Sequence, residues 1–328
     1  MAAVPLLSVR DLVVEFPTRR GVLRAIDGVS FDIARGEVLG MVGESGAGKS
    51  LTGAAIIGLL EPPGRIAGGS ILLDGERIDR LPSAAMRRLR GRRIGMVFQD
   101  PLTSLNPLYT VAEQLVETIT THLPLSTRAA RQRAIGLLEQ VGIPAAARRI
   151  DDYPHAFSGG MRQRVVIALA LAADPDLVIA DEPTTALDVS VQAQIIDLLK
   201  AMCAERGAAV LLITHDMGVI AETADRMAVL YAGRLAEIGP AQTVIRDPEH
   251  PYTRGLMGAV PNPFDQRERL VQIPGAMPSL SALPGGCAFH PRCGQVHQRC
   301  RDEQPVLVAR GGGRHTACWL YPRGGGHG

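Results

Sequence analysis

Lysine is nearly absent from this sequence: of 35 basic residues only Lys49 and Lys200 are lysine, and the rest are arginine. Aromatic residues make up 4%, with a single tryptophan, which argues against the stacking platforms that single-stranded nucleic acids require. Neither sign of charge dominates. With 35 basic and 33 acidic residues the formal net charge is +2, too little for a nucleic-acid binder working through a broad basic field. The longest apolar run, Val165 to Ala173, covers nine residues, against about 20 for a membrane-spanning helix. No basic region precedes the short apolar stretch near the N-terminus, so a signal peptide is not expected and the chain is expected in the cytosol. Any membrane role would then come through partners. The scarcity of lysine is itself informative, because a retained lysine marks a position that wants an ammonium rather than a guanidinium.

What is there is the balance of an ordinary globular chain: 328 residues, 46% hydrophobic and 21% charged, enough for two domains or one large one. Val- and Leu-rich runs predict strands at Leu6–Phe16, Val29–Ile33, Glu37–Val42, Ser70–Asp74 and Arg93–Phe98. A glycine-rich stretch, Gly43–Ser50, feeds a helix expected from Ser50 to about Leu60, stopped by Pro62-Pro63. From Asp100 to about Asp152 the pattern is helical, broken at Pro107, Pro124 and Pro144. It reads as part of an inserted helical subdomain reaching about residue 172. Gly160–Ala173 is apolar on most faces and predicts a buried helix. Short apolar strands are expected at Leu177–Ala180, Ala209–Thr214 and Ala228–Tyr231, with an amphipathic helix at Val191–Arg206 between the first two. Alternating strands and helices predict an α/β fold with a largely parallel sheet. Prolines accumulate beyond Gly239, and four of the five cysteines fall there. The expected division is therefore 1–239 and a loop-rich C-terminal extension, 240–328, whose tail from Gly324 is expected to be disordered.

Gly43-Glu-Ser-Gly-Ala-Gly-Lys-Ser50 fits G-x-x-x-x-G-K-[ST] between a strand and a helix. Glycines let the backbone curl so that successive N–H groups face phosphate oxygens, and the following helix adds its positive end. Lys49 would reach the β- and γ-phosphates and the Ser50 hydroxyl would hold Mg²⁺. The bland alternative is a glycine-rich turn without a ligand, against which the retained lysine argues. At the end of the Leu177–Ala180 strand, Asp181 would fix Mg²⁺ through water, and Glu182 would orient and deprotonate the attacking water. Alone, that pair could be a solvated acidic strand end. A third string, Phe157-Ser-Gly-Gly-Met-Arg-Gln-Arg164, makes a second exposed helix N-terminus suited to phosphate. One nucleotide on one small domain has no use for two such sites. Two chains facing head to tail do.

Ser158-Gly-Gly-Met-Arg-Gln163 resembles the signature of ATP-binding cassette (ABC) ATPases, and the order phosphate loop, Gln99, signature, Asp181-Glu182, Ala186-Leu-Asp188, His215 is similar to that family throughout. The resemblance covers about Leu6 to Gly239. Phe98-Gln-Asp-Pro-Leu-Thr-Ser-Leu-Asn-Pro107, Tyr153-Pro-His155, His250-Pro-Tyr-Thr253 and the C-terminal cysteines carry a narrower resemblance to the dipeptide/oligopeptide/nickel importer ATPases. The resemblance implies a P-loop NTPase fold of the ABC ATPase kind and the role of ATP-hydrolysing subunit of an importer. Peptides are the first solute it suggests, with nickel, opines or glutathione as alternatives for the same machine. A non-transport ABC ATPase acting on nucleic acid or ribosomes is the alternative of a different class.

The same resemblance assigns residues. Phe16 would stack on adenine, or else be a core-facing strand residue. Gly43, Glu44, Ser45, Gly46, Ala47, Gly48, Lys49, Ser50 and Leu51 would cradle the nucleotide, and Ser50, Gln99 and Asp181 would serve Mg²⁺. Glu182 and His215 would be catalytic, His215 by contacting the γ-phosphate. Ser158, Gly159, Gly160 and Met161 would face the ATP of the opposing subunit, with Asp188 at the dimer seam. Met161 stands where the broad family often has Gln, as it does in the importer subgroup, and Leu51 replaces a common threonine. The implied partners are a second, related ABC ATPase, two transmembrane permeases and an extracytoplasmic solute-binding protein, with no nucleic acid. The implied location is the cytoplasmic face of the inner membrane.

Cys203 reads as a small core residue. Cys287, Cys293, Cys300 and Cys318 are separated by five, six and seventeen residues. Clustered thiols in a chain expected in the cytosol argue against structural disulfides, and a small proline-rich extension lacks the apolar mass for its own core. Neither pair is as close as a zinc knuckle, whereas four-cysteine ligation of an iron–sulfur cluster tolerates varied spacing. Some of the importer ATPases that this chain resembles carry such a cluster, though not all keep the cysteines, so the resemblance makes [4Fe–4S] the leading expectation. Zinc, with His290, His297 or His315 as added ligands, is the alternative, and free thiols remain open.

Overall fold

The computed structural model describes residues 4–19, 21–184, 188–259 and 272–321. The chain begins with strands β1 (Leu7–Thr18), β2 (Gly21–Ile33) and β3 (Val38–Val42), helix α1 (Lys49–Ile56), strands β4 (Arg65–Leu73) and β5 (Glu76–Arg77), helix α2 (Ser83–Leu89) and strand β6 (Ile94–Val97). Helices α3 (Pro101–Ser104), α4 (Val111–His122), α5 (Thr127–Gln140), α6 (Ala146–Arg149) and α7 (Gly159–Ala170) follow. Then come β7 (Leu177–Asp181), α8 (Val189–Arg206), β8 (Ala209–Ile213), α9 (Met217–Thr223), β9 (Arg226–Tyr231) and β10 (Arg234–Pro240). Helices α10 (Ala241–Arg246), α11 (Pro251–Gly258) and α12 (Gln298–Asp302) lead to strands β11 (Val308–Gly311) and β12 (Arg314–Thr316). Among the described residues no helix is long and apolar enough to cross a membrane.

The chain forms two compact units. The first comprises Arg80–Leu212 with Ile33–Glu37. Its strands run β8-β7-β6, with β6 and β7 parallel from Ile94 opposite Leu177 to Val97 opposite Ala180. Every residue of β7 is buried, which is why that strand reads as an unbroken apolar run. The helical stretch resolves into α3–α6, and Pro107, Pro124 and Pro144 each fall in a break, as a residue without an N–H donor dictates. Helix α4 opens with a capping box. Thr110 Oγ1 accepts the Glu113 N–H at 3.2 Å, and the Glu113 carboxylate accepts the Thr110 N–H at 2.7 Å, so two orphan donors are satisfied reciprocally. Helix α7 buries Val165, Val166, Ile167 and Ala168.

The second unit comprises Leu7–Asp32, Val38–Asp79 and Ile213–Gly328. It holds an antiparallel layer ordered β2-β1-β4-β5 and a run of strands ordered β11-β12-β10-β9-β3. Strands β3 and β9 are parallel, whereas β9, β10, β12 and β11 pair antiparallel. Gly40 is required in β3 because a Cβ there would lie 2.6 Å from Ile220 Cδ1 of α9. Helix α1 stops at Ile56, earlier than expected, and the cause is Gly58 rather than the prolines. Gly58 has φ 66°, its N–H donates to Ala55 O at 3.2 Å, and the Leu59 N–H donates to Ala54 O at 2.8 Å. That is a Schellman motif.

Strand β10 and the β11–β12 hairpin were not foreseen. The hairpin strands are only four and three residues long, and a charged pair lies buried between β10 and β12. Glu237 on β10 is fully buried. Its carboxylate accepts Arg314 Nε at 2.9 Å and Nη2 at 2.7 Å, and it also takes the backbone N–H groups of Glu249 (3.1 Å) and His250 (3.0 Å). One ion pair thus ties β10, β12 and the segment before α11. A buried pair is costly to break from one side. Arg314→Ala is expected to lower the unfolding free energy of the second unit by about 3–5 kcal/mol. Urea denaturation checks this, and a change below about 1 kcal/mol would contradict it.

Candidate nucleotide-binding site

Strand β3 runs straight into the phosphate loop, which feeds α1. Gly43, Gly46 and Gly48 have φ of 151°, 81° and 105°, a region that glycine enters without penalty. A Cβ at Gly43 would also collide with the Leu230 carbonyl of β9. The curl is fixed by Ala47 N–H to Glu44 O at 3.1 Å and by Gly233 N–H to Ala47 O at 2.9 Å. Lys49 is 5% exposed, and its ammonium donates to Gly43 O at 2.9 Å and Glu44 O at 3.2 Å. A buried charge is tolerable only with such partners. Gly48 is the N-cap of α1 and brings no side-chain cap to its N–H groups, so an anion is the natural partner there. Ser50 is exposed in the first turn, and Leu51 and Phe16 are half-buried. Phe16 lies against Gly64, where a Cβ would come within 2.7 Å of its Cε1.

The loop is also gripped from the C-terminal extension. The Glu44 N–H donates to Tyr252 Oη at 2.8 Å, and the Glu44 carboxylate accepts Arg292 Nη1 at 2.9 Å and Nη2 at 3.0 Å. Tyr252 is fully buried on α11. His250 caps that helix, its ring Nδ1 accepting the Tyr252 N–H at 3.0 Å, and burial lowers the His250 pKa to about 4, so the ring stays neutral as the cap requires. Burial likewise pushes the Tyr252 phenol well above its usual range. The His250-Pro-Tyr string was noticed for its resemblance alone, and Arg292 was not singled out. The available signal was Glu44, a carboxylate inside an anion-binding loop that needs a counter-charge.

In the first unit, Asp181 ends β7 with 8% exposure, and Glu182 follows with φ 44°. A left-handed backbone at a non-glycine residue stores strain that tends to mark functional positions. Gln99, exposed just beyond β6, donates from Nε2 to Glu182 Oε2 at 3.2 Å, so the parallel pairing of β6 and β7 brings these two predicted residues together. Ser158 caps α7, its hydroxyl accepting the Met161 N–H at 3.4 Å. Arg149 Nη1 lies 3.4 Å from Met161 Sδ, and a Cβ at Gly160 would come within 3.1 Å of Val191. Gly159 is half-buried. Asp188 is exposed at the start of α8. Ala186 and Leu187 lie outside the described residues, as does the tail from Gly324. His215, in the second unit, is exposed beside Asp216, which caps α9 by accepting the Gly218 N–H at 2.8 Å. It is not a core histidine.

Cys203 is buried, and burial pushes its thiol up to about 12. The four C-terminal thiols are all free, and each lies within electrostatic reach of the other three. Burial first, then this mutual repulsion, holds the Cys287 and Cys318 thiols up at about 11. Among the described residues no three His, Cys, Asp or Glu side chains form a group that could hold a metal ion. The zinc alternative, with or without His290, His297 and His315, therefore finds no ligand set there, and the cluster is not borne out either.

The family pattern described as ABC transporter matches residues 26–185, and that described as the oligopeptide/dipeptide transporter C-terminal region matches 236–300. A putative peptide import ATP-binding protein of Brucella abortus is 48% identical over 97% of this chain and 96% of its own length. The dipeptide transport ATP-binding protein DppD of Escherichia coli is 46% identical over 97% of both chains. Among solved structures, a dimeric post-hydrolysis state of the ATP-binding cassette MJ0796 bound to ADP and Pi aligns with TM-score 0.65 and 28% identity, covering 72% of this chain and 99% of that one. The cbiO1 protein of Clostridium perfringens, part of the ABC transporter complex cbiONQ, aligns with TM-score 0.63 and 29% identity over 74% of this chain and 91% of its own. With the phosphate loop, the capped Ser-Gly-Gly helix and the carboxylate pair at the end of β7, the chain belongs to the ABC transporter ATP-binding proteins of the oligopeptide/dipeptide importer family.

Proposed function

We propose that the chain is the ATP-hydrolysing subunit of an importer that takes up dipeptides or oligopeptides through partner permeases. The observation that carries this reading is the curled glycine loop with buried Lys49 at its centre. The relatives named for dipeptide and peptide import at 46–48% identity favour peptides over nickel, opines or glutathione. Backbone N–H groups of the loop and Lys49 would hold the phosphates, and Phe16 would stack on adenine. Ser50, Gln99 and Asp181 offer only oxygen donors, the chemistry that suits Mg²⁺, which would neutralise charge on the phosphates. Glu182 would take the proton of the attacking water, with Gln99 holding its carboxylate and His215 contacting the γ-phosphate. Ser158, Gly159, Gly160 and Met161 would face the ATP of a second, related ATPase across a seam that includes Asp188.

The proposed division is a nucleotide-binding domain, 1–239, whose helical subdomain spans about 100–172, and an extension, 240–328. The subdomain exposes Leu102, Leu108 and Tyr109, Leu108 to 80%, and Phe98 is exposed just before it. A backbone bond from Val111 N–H to Asp152 O, 3.1 Å, brings the segment after Leu108 and Tyr109 to the one that carries exposed Tyr153. Such a surface suits docking to two permeases, at the cytoplasmic face of the inner membrane, with solute selection left to an extracytoplasmic binding protein. In the extension, the four free thiols Cys287, Cys293, Cys300 and Cys318 have the donor chemistry of a [4Fe–4S] cluster. Its role would be to pin the extension, with no part in hydrolysis.

Glu182→Gln is expected to cut steady-state hydrolysis in the assembled complex by about 10²–10⁴-fold while ATP binding persists, because the amide cannot take a proton. Turnover near the wild-type rate would sink the assignment. Protein purified without oxygen should be brown, contain iron and acid-labile sulfide, and lose both on Cys293→Ser. Colourless, metal-free, folded protein would rule the cluster out.

A further inference from the structure

The extension does not merely adjoin the phosphate loop. It takes up the backbone donor and the side chain of one loop residue. Glu44 has one backbone donor and one carboxylate, and both are taken by residues 208 and 248 positions away, Tyr252 and Arg292. Arg292 is in turn saturated. Nε donates to Pro274 O at 2.8 Å, Nη1 to Glu44 and to Tyr231 Oη at 3.3 Å, and Nη2 to Glu44 and to Gly275 O at 3.4 Å. All five N–H groups of a guanidinium are thereby used, on a side chain that is 7% exposed. Two residues beyond Gly275, Met277 Cε lies 3.2 Å from where a Gly46 Cβ would be. The extension thus holds the loop at Glu44 and borders it at Gly46.

We infer that Tyr252 and Arg292 are positioning residues for nucleotide binding, acting through Glu44; this rests on the loop being the nucleotide site. Two physical effects carry the inference. A glycine-rich loop loses conformational freedom when it closes on phosphates, and holding it beforehand removes that cost. A carboxylate one residue inside an anion-binding loop also repels the phosphates unless a cation pairs with it. Arg292 supplies that cation in bidentate geometry, which a lysine could not reproduce. The contribution of Arg292 should therefore grow with the number of phosphates on the ligand. The Tyr252 hydroxyl anchors the backbone, so its contribution should be felt wherever phosphates meet the loop.

The test is equilibrium binding of ATP, ADP and AMP to the full chain by titration calorimetry, with a thermal melt of each variant. Arg292→Met is expected to raise the Kd for ATP about 10-fold, for ADP less, and for AMP least. Tyr252→Phe, which keeps the ring packing, is expected to raise the Kd for ATP about 3- to 10-fold. Adding Glu44→Gln to Arg292→Met removes the uncompensated carboxylate and should recover most of the lost ATP affinity. A purely structural role for Arg292 would lower the melting temperature without grading the loss by phosphate number, and Glu44→Gln would not relieve it. That result, or unchanged ATP affinity in both single variants, overturns the proposal. Lys49→Ala is the control for the underlying reading. If it binds ATP as tightly as wild type, the loop is not the nucleotide site and the proposal falls with it.

Discussion

Phosphates are held by backbone N–H groups only when several of them point the same way, and a chain of L-residues does not curl like that unaided. The surroundings of the phosphate loop in the second unit meet this constraint. Gly43, Gly46 and Gly48 take the positive φ values, the Leu230 carbonyl leaves no room for a side chain at Gly43, and Gly233 holds the Ala47 carbonyl. The curl gathers carbonyls as well as N–H groups. Lys49 satisfies two of those carbonyls from within, so the retained lysine has an architectural role in the loop. The counterpart in the first unit is Glu182, forced into φ 44° at the end of a fully buried strand.

The features legible in the sequence were those with a short-range cause. The phosphate loop, the Ser158 cap, the Asp181-Glu182 strand end and the proline-broken helices each announce themselves within a few residues. Cys203 was placed in the core correctly. The features that escaped have causes far along the chain. Nothing near Glu237 says that it will be buried, because its partner Arg314 lies 77 residues on. Strand β2 runs from Gly21, not Val29; its opening residues, Gly21 to Arg24, lie exposed or half-buried although two of them are apolar, so they lack the in-out alternation of a half-buried strand. Helix α1 was drawn too long because the prolines outweighed Gly58. His250-Pro-Tyr-Thr253 was visible as a string, but its physical content, a neutral ring capping a helix whose tyrosine reaches the phosphate loop, needed the fold.

The same long-range contacts have a consequence for how the protein is made. A ribosome delivers the phosphate loop early, with residues 43–49, together with the strand and helix that flank it. The residues that hold Glu44 are delivered 208 and 248 positions later. Contacts so distant in sequence form late, because the intervening chain must first be ordered. Until they are made, the glycine-rich loop carries a carboxylate that lacks its Arg292 partner. The loop acquires its final charge and shape only once Arg292 has emerged. The charge beside the loop is thus set by a residue far along the chain rather than by the loop's own neighbours.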